Sequence, residues 1–261
     1  MASSITLYTL GNMNKAVVDS VTSAAAGFPK ENLMDFNPDV YWKATTTGDQ
    51  VIDIDLKSAK SVDAVILWIQ NYTTAFGSGS YTAASSPDDI TYTGRFSKAI
   101  GTPNTPLIFP VETGTFSFRY WRITFSFMGA VANVSGIFIC QKFTIAQGNE
   151  WPETDAEIYH NRAFSSAGGR TFVQAINSNK VEQFPRTYQL DQTKMTILQN
   201  VFNDSKGSRF PLILQEGALA SEARLVRFAQ NELNENQIDY QLYRPTVQFL
   251  TAPYIPAGET F

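Results

Sequence analysis

The sequence has little of what catalysis ordinarily draws on. It holds one histidine and one cysteine, and Asp, Glu, Lys and Arg together make up only 17% of its 261 residues. The single cysteine, Cys140, excludes an intramolecular disulfide. Its place in the apolar run Val134-Ser135-Gly136-Ile137-Phe138-Ile139-Cys140 reads as a buried, unreactive thiol rather than a nucleophile. His160, beside a polar stretch, reads as a surface or interface residue, so a hydrolase or transferase would lack its usual base. G-x-S-x-G, Walker, H-E-x-x-H and G-x-G-x-x-G patterns are all absent. Gly77-Ser78-Gly79-Ser80 has no lysine after it and reads as a flexible loop, not a phosphate cradle. A net charge of −4 without any basic run argues against direct nucleic-acid binding. There is no apolar run of roughly 18 residues. The start, Met1-Ala2-Ser3-Ser4-Ile5-Thr6, lacks a basic region followed by an apolar one, so neither membrane insertion nor signal-peptide secretion is expected. No cofactor is expected either.

What is present is aromatic and apolar. Hydrophobic residues reach 43%, with 19 Phe, 11 Tyr and 4 Trp, and large side chains of this kind favour pleated sheets. The length suits two domains of about 100–150 residues each. Charge usage locates the boundary: residues 1–150 hold 7 Lys, 3 Arg, 9 Asp and 3 Glu, whereas residues 151–261 hold 3 Lys, 7 Arg, 4 Asp and 8 Glu. Each half sums to −2, so the shift is invisible to net charge. Gln147 to Asp155, punctuated by Pro152, lies between the two compositions. The expected organisation is a domain over 1–148, a linker over 149–164 and a domain over 165–261.

In the first half, strand-like runs alternate with turn-rich segments. Gln50 to Leu56 alternates, placing Ile52, Ile54 and Leu56 on one face and Asp53 and Asp55 on the solvent side. Val62 to Ile69 is apolar on both faces, Phe116 to Phe125 forms a third strand and Gly136 to Thr144 a fourth. Thr73 to Pro87 and Ile100 to Pro106 read as loops. In the second half, Arg170 to Ile176 and Phe184 to Leu190 read as a hairpin across Asn177-Ser178-Asn179-Lys180. A helix follows, capped by Asp191, with Met195, Ile197, Leu198, Val201 and Phe202 as its apolar stripe and Gly207 as its stop. Phe210 to Gln215, Arg224 to Ala229 and Ile238 to Leu250 then read as strands. Ala218 to Leu233 fits a helix by its Ala, Leu, Glu and Arg, and a strand by Leu225-Val226-Arg227-Phe228.

Asn71, Tyr72, Phe76 and Tyr81 flank the Gly/Ser loop, where rings beside amides can stack on a sugar or peptide surface. The alternative is that these rings close the end of a sandwich, with Trp42 and Trp121 as core or rim anchors. Asp53 with Asp55, and Asp88 with Asp89, offer hard oxygens to Ca²⁺. Such an ion needs more ligands than a pair supplies, so these acids read as solvated residues and no metal site is expected.

The first half resembles the discoidin-like, galactose-binding-like jelly-roll family. Asn32-Leu33-Met34-Asp35 with Tyr41-Trp42, Gln50 to Leu56, Ser86-Pro87-Asp88-Asp89-Ile90-Thr91-Tyr92 and Arg119 to Phe125 carry the likeness. The long middle loops and the missing cysteine pair depart from it. The second half resembles minor-tail and distal-tail proteins of tailed bacteriophages on Arg186 to Leu190, Val201-Phe202 with Gly207, Phe210 to Leu214, Val226-Arg227-Phe228, and Tyr240 with Val247-Gln248-Phe249. Together the resemblances imply a mainly β protein: an N-terminal jelly-roll sandwich followed by a small α+β, tail-tube-like sheet domain with one helix, strand-forming at 225–228. They further imply a non-enzymatic virion tail component, made in the host cytoplasm and assembling with other phage tail proteins as a hexameric homo-oligomeric ring. Phe210, Leu212, Arg224, Arg227 and Phe228 are the candidate ring contact, with an ordinary internal sheet as the alternative reading. The sandwich would face neighbouring tail proteins or a host surface glycan. The other functional expectation is a freestanding carbohydrate-binding module outside any virion.

Overall fold

The computed structural model describes residues 5–13, 15–35, 39–103, 105–111, 114–126, 128–145, 156–158, 161–165, 171–175, 181–188, 190–207, 210–216, 223–230, 232–233, 237–239 and 242–251. The chain is mainly β. In the first half the strands are Ile5–Thr9 (β1), Val17–Val21 (β2), Trp42–Lys43 (β3), Gln50–Val62 (β4), Ala64–Ile69 (β5), Ser80–Ser86 (β6), Thr93–Ala99 (β7), Leu107–Ile108 (β8), Phe116–Ser126 (β9) and Asn133–Ile145 (β10). The second half adds Ala156–Ile158 (β11), Asn161–Ser165 (β12), Thr171–Ala175 (β13), Val181–Thr187 (β14), Leu190–Asp191 (β15), the helix Gln192–Asp204 (α1), Leu212–Glu216 (β16), Ala223–Phe228 (β17), Gln237–Asp239 (β18), Leu242–Tyr243 (β19) and Thr246–Thr251 (β20).

A sandwich forms because the first-half strands alternate. One sheet runs β2-β4-β9-β6-β7. Its inner face carries Ile52, Ile54, Tyr81, Ala83, Trp121, Ile123 and Phe125, none more than 1% exposed. The facing sheet is built on β10, paired with β3 and β5, and supplies Val65, Ile66, Leu67, Ile137 and Ile139 to the same core. Trp42 and Trp121 both lie in that core, as does Cys140, whose thiol is pushed well above its ordinary range first by burial. One segment expected as a loop is a strand, and β1, β2, β3, β7 and β8 form where no strand is expected from the sequence. β6 lies inside Thr73 to Pro87 and pairs with both β7 and β9. Its Ser, Ala and Thr residues give a weak apolar signal, yet its pleat still turns Tyr81 and Ala83 inward.

The two halves share a sheet. The early part of β10 pairs with β5, and its later residues, Gln141 to Ile145, pair with β1. β1 in turn pairs with β16, and the order continues β16-β17-β20-β14-β11. Alternation along β1 and β16 gives this shared sheet two buried faces: Tyr8 and Ile213 join the sandwich core, whereas Ile5, Leu7, Leu212 and Leu214 join a second core under α1. Such doubly buried strands read as continuous apolar runs, as Leu212-Ile213-Leu214 does.

α1 forms where expected. The Asp191 carboxylate accepts from the Lys194 amide at 2.9 Å, Met195, Leu198, Val201 and Phe202 are buried, and Gly207 takes a left-handed φ of 63° just past the end of the helix. The strand reading of the 225–228 segment holds, since β17 pairs with β16 and β20. The expected hairpin between Arg170 to Ile176 and Phe184 to Leu190 does not form. β13 pairs with β12, and β14 pairs with β11 and with the distant β20, so each run finds its partner elsewhere in the chain. The strand β11 also lies inside the segment expected as a linker.

Candidate functional site: the loop end of the sandwich

The residues singled out in the sequence divide sharply. Phe76 and Tyr81 are fully buried, so neither ring can meet a ligand. Tyr81 donates its hydroxyl to the Val65 carbonyl at 2.8 Å, and burial pushes that phenol well above its ordinary range. Phe76 plugs the end of the sandwich: its amide donates to the Gly101 carbonyl, and its carbonyl accepts from the amides of Gly79 and Gly129. A Cβ on Gly129 would sit 3.1 Å from the Phe76 carbonyl carbon, so glycine permits the close approach. The pattern of rings in a Gly/Ser stretch thus marks a core plug. Asn71 and Tyr72 are half-buried. Asn71 spends its amide internally, donating to the Val131 carbonyl at 3.0 Å and accepting from the Asn133 amide at 3.2 Å. Tyr72 packs against the sandwich core. His160 lies outside the described residues.

The candidate ring contact is largely internal. Leu212 and Phe228 are fully buried, and Phe210 and Arg227 are 6% exposed. Phe228 packs edge-on against Phe202 of α1, with centroids 5.0 Å apart. β16 and β17 are ordinary neighbours in the shared sheet, so their apolar side chains are committed to its two cores; Arg224 alone of the five is exposed.

The Asp53 and Asp55 carboxylates are held by cations. Asp55 is 4% exposed rather than solvated, because Arg119 grips it through two bonds of 2.7 and 2.8 Å and Lys57 adds a third at 3.0 Å. These contacts, the Arg119 hydrogen bonds foremost, hold the carboxyl well below the usual carboxylate range. Arg122 grips Asp53 at 2.6 and 3.2 Å and lies 4.0 Å over the Tyr92 ring, while Tyr92 donates to Asp89. Asp88 caps its own turn, accepting from the amides of Ile90 and Thr91 and from Ser86 Oγ. Asp53 and Asp55, and Asp89 through Tyr92, serve the outer face of the β2-β4-β9-β6-β7 sheet, and Asp88 serves the turn between β6 and β7. Among the described residues no group of three or more His, Cys, Asp or Glu side chains is placed to hold a metal.

A different cluster at the loop end has the makings of a recognition surface. Trp42 points into the core, which turns its neighbours Tyr41 and Lys43 the other way. Tyr41 stacks on Phe28, with centroids 4.7 Å apart at 26°, and the Lys43 ammonium lies 5.8 Å from the Phe28 centroid. All three are half-buried. The support is rigid: Asn32 Nδ2 donates to the Tyr41 carbonyl, the Ala25 amide to the Lys43 carbonyl, and the Trp42 indole to the Ser23 carbonyl. Lys43 lies across the ladder from Asn133, whose backbone amide is the one Asn71 accepts. Phe28, Tyr41 and Lys43 are not among the site residues singled out in the sequence; the alternation Tyr41-Trp42-Lys43 around a core tryptophan was the signal available for the last two.

No protein-family model matches the chain, and no curated protein matches it. Several solved structures are similar. One is a glycoside hydrolase family 29 fucosidase from Ruminococcus gnavus in complex with fucose, at 20% identity and a TM-score of 0.43 over 52% of this chain and 27% of that one. A second is the family 32 carbohydrate-binding module of C. perfringens NanJ in complex with galactose, at 13% identity and a TM-score of 0.44, covering 52% of this chain and 99% of that one. A third is chitosan-binding module 1 from a chitosanase/glucanase of Paenibacillus sp. IK-5, at 20% identity and a TM-score of 0.42, covering 51% of this chain and 99% of that one.

Proposed function

We propose that the protein is a non-catalytic saccharide-binding protein that recognises its ligand at the loop end of the sandwich. The observation that carries this reading is the Phe28–Tyr41 stack beside Lys43. Half-exposed rings offer a flat apolar face to the C–H side of a sugar ring, and the ammonium of Lys43 is a donor for its hydroxyl oxygens. A rigid backbone holds the rings in place before binding, which reduces the ordering cost. The test is calorimetric titration and array screening of the full chain against mono- and oligosaccharides. Binding that is lost in Tyr41→Ala while the fold persists supports the reading; no binding across the array contradicts it.

A second reading concerns the setting: a structural part of a phage tail, made in the host cytoplasm, whose second half joins neighbouring tail proteins in a ring. The sheet shared through β1 favours it, because a sandwich fused to its partner unit by continuous pairing transmits load as a strut. Six-fold closure around a head-to-tail interface would use exposed positions such as Arg224, since the apolar residues of β16 and β17 are taken. Electron microscopy of the purified chain and of virions tests this: rings, or the chain in tails, support it, and a strict monomer absent from particles contradicts it.

A further inference from the structure

We propose that the seam between the two cores binds a monovalent cation, held by Asp204, Thr9 and Ser205. Three side-chain oxygens there, Thr9 Oγ1, Asp204 Oδ2 and Ser205 Oγ, are buried and lack a hydrogen-bond partner among the described residues. Thr9 and Ser205 are both 0% exposed. Thr9 ends β1 and shares the parity of Ile5 and Leu7, so it points to the face that α1 covers. Asp204 is the last residue of α1, and Ser205 is its C-cap. Gly11 brings the two ends together. A Cβ at Gly11 would lie 2.1 Å from Asp204 Oδ1 and 2.6 Å from Oδ2, so the carboxylate rests on the glycine backbone just beyond Thr9.

The field at this point calls for positive charge. The C-terminal end of a helix carries partial negative charge, and Asp204 adds a full one to it. The other carboxylate acting on the Cys140 thiol, Asp63, is taken up by the Lys142 amide and the Thr115 hydroxyl, which leaves Asp204 as the acid of this site. Among the described residues no Lys or Arg forms an ion pair with Asp204. Asp204 is half-buried as a residue, but its Oδ2 is shut off from water without a counter-charge; that is costly, and a bound cation removes the cost. The donor set selects the ion. One carboxylate and two hydroxyls are hard oxygen donors carrying a single formal charge, which suits Na⁺ or K⁺; Ca²⁺ takes roughly six to eight oxygens and more acidic groups. The Cys140 thiol, raised by burial, stays protonated and offers nothing to a soft metal. An ion there would tie the end of α1 to the end of β1, and so one core to the other.

The test is thermal unfolding of the full chain in NaCl, KCl and N-methylglucamine chloride at one ionic strength. The proposal expects a Tm several degrees higher in one or both alkali-metal salts than in N-methylglucamine chloride. It expects that difference to vanish in Asp204→Asn and to shrink in Thr9→Val, which keeps the shape of the side chain if the first variant fails to fold. Equal Tm values for the wild-type chain in all three salts would overturn it and leave the seam to ordered water.

Discussion

Leu7 of β1 lies directly opposite Leu214 of β16, although the two come from opposite ends of the chain. Both are fully buried in the core beneath α1, while the next residues along, Tyr8 and Ile213, face the sandwich core. A single strand therefore feeds both cores. Residues 1–150 and 151–261, produced as two separate chains, should consequently associate and co-purify, because β1 is held between β10 and β16. Removing residues 1–9 from the first piece should abolish the association. Stable, separately folded pieces with no affinity would contradict the shared sheet.

Leu7→Ala tests the same relationship by energy. Loss of a fully buried leucine costs about 2–5 kcal/mol. Because its strand serves both cores, fluorescence from Trp42 and Trp121 in the first half should report the same lowered denaturation midpoint as far-ultraviolet dichroism. A shift seen by one probe alone would mean that the halves unfold independently.

The paired acids separate by burial. Ile54→Asp should unfold the sandwich, since Ile54 is 1% exposed and an unpaired carboxylate there costs several kcal/mol. Asp53→Ala should cost only about 0–1 kcal/mol, because the Arg122 side chain is 37% exposed and water can replace its partner. Equal effects in urea titrations would contradict the assigned strand faces.

Asp55 adds a pH dependence of definite sign. Its folded-state pKa is depressed, so its contribution is fully present above the unfolded value of about 3.9 and is lost as pH falls through the folded value. The stability gap between wild type and Asp55→Asn should be wide at neutral pH and narrow below about pH 4. A gap of constant size across that range would show that the Arg119 contact does not set the titration.

The sequence revealed those parts of the fold that periodicity controls. Ile52, Ile54 and Leu56 alternate because one face of β4 is buried, and the 191–207 segment carries its own cap, stripe and stop. β6 escaped notice because Ser, Ala and Thr are small, so its inward Tyr81 read as a loop ring. Strand partners escaped as well: pairing is a long-range choice, and nothing local in Arg170 to Ile176 or Phe184 to Leu190 names β12 or β20 as the neighbour. The site suffered from the same ambiguity. Rings in a polar loop can cap a core or face a ligand, and only the fold decides that Phe76 does the first while Phe28 and Tyr41 remain half-exposed.

The proposed saccharide recognition by the Phe28–Tyr41 stack is tested by the affinity of one array-identified saccharide for wild type, Tyr41→Ala and Phe76→Ala in titration calorimetry, with Tm recorded for each. Tyr41→Ala should weaken binding at least about tenfold, the equivalent of about 1.4 kcal/mol, with Tm nearly unchanged. Phe76→Ala should instead cost about 3–5 kcal/mol of stability. Unchanged affinity in a folded Tyr41→Ala variant would contradict recognition by this stack.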